Sequence, residues 1–182
     1  MTNGGNLSVT ANAALVGGNG LQAAFTNTSA MYLRDDFPNA EARYRARFYF
    51  DPNSISMANG SYIYLLTGRD PANAVILYIQ FSRSSTDYQL RVRAYDSGLA
   101  NFVNTPYITI TDAVHVVEVD WGNDGHLSFW VDGVQQASLT GIQNSGYVMD
   151  TVRLGAGYMS GTISGAFYLD AFESRRQTYI GQ

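Results

Sequence analysis

Charged and aromatic side chains occupy every second position in three segments of the chain. In residues 41–50, Arg43, Arg45 and Arg47 alternate with apolar or aromatic residues, and residues 87–96 and 114–139 repeat the alternation. The polar faces of these segments carry the candidate ligand-binding residues: Arg43, Arg45, Arg91, Arg93, Tyr95, Glu118, Asp120, His126 and Trp130. An aromatic ring can stack on the C–H face of a sugar, while guanidinium groups donate hydrogen bonds to hydroxyls or carboxylates. If the three segments lie in one sheet, these side chains form one carbohydrate-binding surface with Trp130 as its stacking ring.

The arginines of this predicted surface suit an acidic sugar such as a uronate, because a guanidinium binds a carboxylate through two parallel hydrogen bonds. A simpler interpretation stays open. Cross-strand pairs of arginine with aspartate or glutamate can solvate an exposed sheet, each pair contributing less than about 1 kcal/mol. The binding hypothesis therefore depends on whether the arginine-bearing segments and Trp130 share one open surface.

Residues 114–139 predict an antiparallel meander of three strands. Apolar and polar residues alternate at period two in the first two runs, as a strand with one buried face requires. A glycine-rich turn at residues 122–125 separates these runs. The pair Asp132-Gly133 tolerates the positive φ angles of a tight hairpin turn. The third run, Val134–Leu139, alternates less cleanly and predicts a bulge.

The rest of the chain gives the same period-two signal and no sustained helical periodicity. Residues 62–67 and 74–81 are nearly continuous apolar runs, which predict central strands covered on both faces. Residues 97–105 are predicted to be a loop. We expect an all-β fold, a two-sheet antiparallel β-sandwich of about a dozen strands, in which residues 1–182 form a single domain.

The composition of the chain indicates which classes of partner it binds and in which compartment the protein is located. Eleven basic against fifteen acidic residues give a net charge of −4, which argues against a nucleic-acid partner. The chain has no cysteine, so disulfides and thiolate metal sites are excluded, and no apolar run is long enough to predict a membrane-spanning helix. Low charge with thirteen tyrosines and many glycines is typical of secreted β-sandwiches. We expect an extracellular or cell-surface location, within a larger secreted protein because the first residues lack a signal peptide.

Three short motifs carry a resemblance to a known superfamily. They are VHVVEVDW at 114–121, FWVDG at 129–133 and FYLDAF at 167–172, with a weaker match at GNGL, residues 18–21. The chain resembles the laminin-G-like and legume-lectin-like (concanavalin A-like) jelly-roll sandwiches. The resemblance implies a jelly roll whose concave sheet holds a glycan, in a non-catalytic extracellular module. Two alternatives stay open: a structural or adhesive module that contacts neighbouring domains of its parent protein, and a polysaccharide lyase.

Enzymatic readings receive less support from the residues. Jelly-roll polysaccharide lyases use a tyrosine or histidine as the base, beside an arginine and a glutamine or asparagine. Arg43, Arg45 and His126 are residues of these types, but the sequence lacks the ordered motifs of the lyase families. Glu118 and Asp120 resemble the carboxylate strand motif of laminarinase-type glucanases, but Asn123 stands where that motif has its second glutamate. We therefore predict no catalytic residue.

Two further residues receive specific predictions. The resemblance makes Asp170 the best candidate ligand for a structural calcium ion, because related modules place a terminal-strand aspartate near an ion that N-terminal backbone carbonyls also hold. Asp35 and Asp36 would contribute oxygens or only cap a turn, since calcium requires six to eight oxygen ligands. His115 shares a face with Val117 and Val119, so we expect a hydrogen-bonded histidine in the core.

Overall fold

Sixteen β-strands and one short 3₁₀ helix, Ala11–Ala13, appear in the computed structural model, which describes residues 6–176, 178 and 180. In chain order the strands are β1 (Leu7–Thr10), β2 (Gly20–Phe25), β3 (Met31–Asp35), β4 (Arg43–Asp51), β5 (Ser56–Met57), β6 (Tyr62–Arg69), β7 (Val75–Ser84), β8 (Asp87–Asp96), β9 (Asn101–Asn104), β10 (Ile108–Ile110), β11 (His115–Gly122), β12 (Leu127–Val131), β13 (Val134–Leu139), β14 (Thr151–Ala156), β15 (Met159–Ser160) and β16 (Ile163–Arg175). No helix in this part of the chain is long and apolar enough to cross a membrane.

The strands form two antiparallel sheets of eight strands each. Sheet I has the order β1-β2-β16-β4-β11-β12-β13, with β5 beside β16. Sheet II has the order β10-β8-β7-β6-β14-β3, with β15 beside β6 and β9 beside β8. The predicted all-β sandwich is confirmed.

The core lies between the two sheets and is built from the apolar face of each alternating strand. Phe48 and Trp121 belong to sheet I, Phe81 and Leu90 to sheet II, and all four are fully buried. The ring of Phe50 meets Phe81 edge-on, with 4.9 Å between ring centroids, which joins the two layers. Since these positions use one face of every strand, each sheet is left with a second face that points away from the core.

The meander of β11, β12 and β13 agrees with the sequence analysis. Asp132 and Gly133 both have positive φ, 53° and 73°, as the hairpin prediction requires. Phe129 lies opposite Ala137 while the next residue, Trp130, lies opposite Gln135, so one residue of β13 is extra. The predicted bulge is therefore confirmed, at this point of the hairpin.

The expectation that the three polar segments share one sheet is wrong. β4 and β11 are neighbours in sheet I, whereas β8 pairs with β7 in sheet II. The short connection at Ser85 and Thr86 returns the chain directly beside β7, with Ser84 opposite Asp87. Period-two alternation identifies the polar face of a strand, but it does not identify the neighbouring strand, and the tight hairpin decides the sheet.

The strand count also exceeds the prediction. The segment predicted to be a loop, residues 97–105, contains β9, which pairs with the end of β8. Two other strands, β5 and β15, are only two residues long. Segments this short give no measurable alternation, so tertiary pairing alone defines them.

Candidate functional site

The structure divides the nine predicted ligand-binding residues between the two outer faces of the sandwich. Five lie on strands of sheet I and one, His126, in the turn before β12, whereas three lie on sheet II. The sheet I group is Arg43, Arg45, Glu118, Asp120, His126 and Trp130, and the sheet II group is Arg91, Arg93 and Tyr95. Arg43 and Trp130 do share a sheet, as the binding hypothesis required. The single predicted surface is replaced by two separate faces.

Asp120 is the centre of the sheet I group. Its carboxylate accepts hydrogen bonds from Arg43 Nε (3.0 Å to Oδ1) and Nη2 (2.7 Å to Oδ2). Arg45 Nε donates to the same Oδ2 at 2.7 Å, and His126 Nε2 lies 3.3 Å from Oδ1. Asp120 is only 4% exposed and Arg45 only 8%. Asp120 is thus paired with Arg43 and Arg45 at the surface of the sheet, with His126 beside them.

The electrostatics of this cluster follow from its geometry. Burial opposes ionisation of Asp120, but the hydrogen bonds from Arg43 and Arg45 outweigh it and hold the pKa of the carboxyl below its ordinary value. The hydrogen bond to Asp120 likewise raises the pKa of Arg43. A ligand carboxylate at this position would have to compete with a charged partner that is already in place.

The same pattern continues along sheet I. Arg47 Nη2 lies 3.1 Å from Glu173 Oε2, and Arg175 Nη2 lies 2.6 Å from Glu173 Oε1. Glu118 is buried and stands directly opposite Arg47 on one side and Trp130 on the other. Cross-strand ion pairing, the simpler interpretation in the sequence analysis, describes this face well.

The outer face of sheet II has a different composition, and we call it the tyrosine–arginine face. Its strands turn residues such as Ile63, Ile79 and Val92 toward the core, so the alternate residues point outward. With the neighbouring turn, the outward set comprises Tyr62, Tyr64, Arg69, Tyr78, Arg91, Arg93, Tyr95, Phe102, Tyr107, Arg153 and Tyr158. Aromatic rings and guanidinium groups thus share one surface.

The rings of this face touch in a continuous band across the sheet. Tyr64 stacks on Tyr78 with 4.0 Å between ring centroids, and Tyr158 lies 5.2 Å from Tyr64. Phe102 continues the band at 5.0 Å from Tyr78 and 5.5 Å from Tyr95. Such contacts hold the rings in fixed orientations and leave the outermost ring, that of Tyr158, 51% exposed.

The arginines of this face are held by aromatic rings and amides. The guanidinium carbon of Arg91 lies 4.3 Å from the centre of the Tyr107 ring, and that of Arg93 lies 5.1 Å from the Tyr78 ring. Among the residues that the structure describes, no carboxylate forms an ion pair with Arg69, Arg91, Arg93 or Arg153. Their positive charge is therefore not neutralised, in contrast to the arginines of sheet I.

A groove of about 530 Å³ lies at one end of the tyrosine–arginine face, with Tyr62 and Tyr107 among its walls. Gln80 lies on its floor and is 4% exposed. Its Oε1 accepts hydrogen bonds from Arg91 Nε (3.1 Å) and Nη2 (2.9 Å), and its Nε2 donates to Tyr107 Oη (3.2 Å). Ser82 Oγ, also buried, has no hydrogen-bond partner among the described residues. The groove combines a cation, an amide, hydroxyls and two rings.

The tyrosines of this face are uncharged and can donate hydrogen bonds. Burial raises the pKa of Tyr64, and the neighbouring Tyr62 raises the pKa of Tyr158, so both phenols are protonated at neutral pH. The two histidines lie elsewhere: His126 is in the Asp120 cluster, and His115 Nδ1 lies 2.7 Å from Asp132 Oδ2. His115 is buried and hydrogen-bonded, as predicted.

The sequence analysis missed most of the aromatic residues of this face. Tyr62, Tyr64 and Tyr78 lie in the two runs that were predicted to be central strands covered on both faces. This prediction is confirmed for β7, in which residues 76–82 are all buried, but the second cover consists of the aromatic side chains of the outer face. The signal that could have revealed them is the alternation of amphipathic residues within those runs, with Tyr78, Gln80 and Ser82 in step on one face of β7.

Asp170, the calcium candidate, serves the backbone in this structure. Its Oδ2 accepts hydrogen bonds from the N–H groups of Leu15 (2.9 Å) and Val16 (2.8 Å), and Oδ1 accepts one from Ala171 (2.7 Å). Three N–H donors fit a backbone cap better than a calcium ligand. Asp35 Oδ1 accepts from the N–H of Phe37, the turn-capping alternative. In the described ranges, no three aspartate, glutamate or histidine side chains are grouped to hold a metal ion.

Replacing Asp170 by Asn should make stability less dependent on pH in the acid range. Burial opposes ionisation, but the backbone donors hold the pKa of Asp170 below its ordinary value, so its contribution is present above the unfolded-state pKa, near 4, and is lost as the pH falls through the folded-state pKa. Urea denaturation at a series of pH values should show Asp170→Asn less stable than wild type at neutral pH, with the difference shrinking below pH ~4. A pH-independent difference would contradict this.

The comparisons with known proteins place the fold among jelly-roll β-sandwiches. Cellulose-induced protein Cip1 aligns over 97% of this chain and 87% of its own, with a TM-score of 0.65 and 15% identity. An alginate lyase from Alteromonas sp. 272 aligns over 97% of both chains, with a TM-score of 0.59 and 10% identity. Alginate lyase AlyC3 in complex with dimannuronate aligns over 88% of this chain and 76% of its own, with a TM-score of 0.58 and 11% identity. No family model and no curated protein sequence matches the chain.

Proposed function

We propose that the protein is a non-catalytic carbohydrate-binding module that holds an acidic polysaccharide on its tyrosine–arginine face. The observation that carries this proposal is the set of arginines held over aromatic rings, with no carboxylate paired to them in the described part of the chain. Such a surface offers what an acidic sugar requires: flat rings for its C–H groups and unneutralised cations for its carboxylates. The proposal keeps Arg91, Arg93 and Tyr95 from the sequence analysis.

The physical contrast between the two outer faces decides which of them we choose. On sheet I, Asp120 and Glu173 already accept hydrogen bonds from Arg43, Arg45 and Arg175. A ligand there gains little, because each new contact replaces an existing charged one. On sheet II the arginines are oriented by neutral partners, so a ligand carboxylate adds an interaction without breaking an ion pair.

The structural neighbours support a sugar ligand without identifying it. Two of the three compared proteins are named as alginate lyases, and one was solved with dimannuronate, a sugar that carries carboxylates. The identities of 10 to 15% show a shared fold alone. The choice of an acidic ligand for this chain therefore depends on its own arginines. The extracellular setting and a larger parent protein belong to the same proposal.

Replacing Tyr158 by alanine should weaken binding to an acidic polysaccharide about tenfold, because the most exposed ring of the aromatic band is lost. Retention on immobilised polyuronate and titration calorimetry measure the effect. The free energy of unfolding should fall by no more than about 1 kcal/mol, since the ring is half exposed and loses only its contacts with Tyr62 and Tyr64.

The matched control is Trp130→Ala, which removes an aromatic side chain from the opposite face. It should leave the affinity unchanged. If Trp130→Ala abolishes retention while Tyr158→Ala does not, the sheet I surface is the binding site and the present proposal is wrong. If the wild-type protein binds no polysaccharide of an acidic and neutral panel, the structural or adhesive module becomes the better interpretation.

A lyase is the second candidate, and the groove is the specific observation in its favour. Gln80, Arg91 and Tyr107 are joined there by hydrogen bonds and a cation–π contact, the residue types that neutralise a uronate and remove its proton. The test is to incubate the protein with acidic polymers and to measure the ultraviolet absorbance of unsaturated uronates. If this absorbance appears with wild type and is lost in Tyr107→Phe, the function is lysis and not binding.

A further inference from the structure

Six outward residues of sheet II stand in one straight row across its strands. Tyr78 is opposite Arg93 and Thr67, Thr67 is opposite Arg153, and each end of the row continues by one residue. In order across the sheet the row is Arg34, Arg153, Thr67, Tyr78, Arg93 and Asn104. We call it the arginine row. Because residues in register lie on one line perpendicular to the strands, the row marks a direction across the tyrosine–arginine face.

Two arginines of the row are separated by a fixed span. Arg153 and Arg93 are three strands apart, and neighbouring strands lie about 4.8 Å apart, so their Cα atoms are roughly 14 Å apart. Thr67 and Tyr78 lie between them and are both buried, and Thr67 Oγ1 has no hydrogen-bond partner among the described residues. The backbone at Gly157 covers Thr67, and the Tyr64 ring and the Arg93 guanidinium cover Tyr78. The surface between the two guanidinium groups is therefore formed by this turn and this ring, and a ligand that reaches both arginines passes over them.

Each arginine is held in place by uncharged partners. Arg93 Nε donates to Asn104 Oδ1, and its guanidinium lies 5.5 Å from the centre of the Phe102 ring. Arg153 Nη2 donates to Asn73 Oδ1 at 3.2 Å, and its guanidinium lies 4.6 Å from the Tyr32 ring. The two positive groups are oriented in advance, which lowers the entropy lost when an anion binds.

A third arginine, Arg69, adds positive charge beside Arg153. Arg69 Nη1 donates to the backbone carbonyl of Asn73 at 2.6 Å, so this one asparagine joins Arg69 and Arg153. Burial, and secondarily the charge of Arg153, lower the pKa of Arg69, and the nearby Tyr32 and Asp70 offset only part of this effect. Arg69 and Arg153 therefore hold two like charges beside one another, and no carboxylate in the described ranges forms an ion pair with either. A bound anion would reduce the repulsion between these two charges.

We infer that the ligand is a linear polyanion that lies across the strands along the arginine row, with one anionic group at Arg93 and a second at Arg153 and Arg69. This inference rests on the proposed function and specifies its ligand class. A sugar with a single charge can occupy only one position. A polyuronate long enough to span both gains avidity, because its second contact is made within the complex at high effective concentration.

The test is a titration of size-fractionated oligogalacturonates, from the disaccharide upward, with the wild-type protein. Affinity should rise by at least about tenfold between the longest oligomer that cannot span the two positions and the shortest that can. Arg93→Gln and Arg153→Gln should each remove this step while keeping weak binding of short oligomers. The double variant should show no larger loss of the step than either single variant.

The matched control is Arg34→Gln, which changes another arginine of the same row. Arg34 already pairs with Asp36 at the exposed end of the row, so its loss should leave the step intact. Arg153→Lys provides a second variant that keeps the charge and loses the forked geometry, and it should restore the step only in part. Thermal unfolding of each variant shows whether it is folded, and an unfolded Arg153→Gln is replaced by Arg153→Lys in the comparison.

The outcomes separate this inference from the proposed function. If acidic oligomers bind and the affinity rises smoothly with length, or if Arg34→Gln removes the step as well, the two-position model is overturned and glycan binding stands. If no oligogalacturonate binds while a neutral glycan does, the ligand class is wrong. If nothing on the panel binds, the proposed function itself fails.

Discussion

Replacing Asp120 by alanine is expected to lower the free energy of unfolding by about 3–5 kcal/mol, one of the two largest effects that the structure predicts. The carboxylate holds Arg43, Arg45 and His126 together, and Arg45 is buried beside it. Removing one partner of a buried ion pair leaves the other charge without compensation, which costs more than the pair itself contributes. Urea denaturation at neutral pH measures the change.

The control for this prediction is Asp124→Ala, which removes a neighbouring aspartate whose side chain is 70% exposed. Its effect should be within about 0.5 kcal/mol, because exposed ion pairs contribute little. Binding of acidic glycan by folded Asp120→Ala should match wild type, since the cluster lies on the opposite face. A loss below about 1 kcal/mol for Asp120→Ala would mean that water replaces the carboxylate without cost and that the cluster is not structural.

The sequence correctly predicts the properties that depend on one strand alone. Alternation correctly predicted which side chains of β4, β8 and β11 point away from the core. It also located the hairpin turn at Asp132-Gly133 and the bulge that follows. Each of these features is determined by local backbone geometry, which a single segment of sequence specifies.

The sequence does not predict the properties that depend on which strands become neighbours. Arg43 and Arg91 occupy similar positions in similar strands, yet one lies on sheet I and the other on sheet II. The period of two is the same in both, so nothing local separates them. The eleven strands of at least five residues in the described part of the chain allow many pairings, and only the packing of the whole core selects one of them.

The tyrosines were missed for a different physical reason. Tyr62, Tyr64 and Tyr78 have large apolar rings, so runs that contain them resemble strands with two buried faces. A tyrosine also places its hydroxyl in water at low cost and covers an outer face. The polar residues Thr67 and Gln80 on the same face were the clue that it lies outside the apolar core, although neighbouring side chains and backbone bury both of them.

The predicted position of Asp170 agrees with the structure, but the groups that it contacts differ from those that were expected. The terminal strand does place this aspartate against the N-terminal segment, as the resemblance implied. The groups it meets are the N–H groups of Leu15 and Val16, which donate hydrogen bonds to it. Sequence alone cannot specify whether a loop presents its carbonyl or its amide edge, because this depends on the local φ and ψ angles of the loop.

Arg91→Gln is expected to lower the affinity for an acidic polysaccharide by about 10- to 100-fold. The guanidinium of Arg91 lies between Gln80 and Tyr107 at the groove, oriented by both, with no carboxylate paired to it in the described ranges. A hydrogen bond to a charged group contributes about 1.5–3 kcal/mol, and a factor of ten in affinity corresponds to 1.4 kcal/mol. Glutamine keeps an amide that can donate to Gln80, which limits any loss of stability. Titration calorimetry at two ionic strengths measures the affinity, and the loss should be smaller at high salt.

Arg43→Gln makes the same change in net charge on the opposite face, and it separates a site from a general attraction. If the polysaccharide responds only to overall charge, Arg43→Gln and Arg91→Gln weaken binding equally and the tyrosine–arginine face loses its special role. If recognition is local, Arg43→Gln lowers stability by releasing a hydrogen-bonded partner of Asp120 and leaves the affinity nearly unchanged.

Arg91→Lys then distinguishes charge from geometry, because lysine keeps the cation but cannot form the two parallel hydrogen bonds of a guanidinium with a carboxylate. An affinity for Arg91→Lys close to that of Arg91→Gln would show that the forked geometry at the groove, oriented by Gln80, recognises the sugar carboxylate.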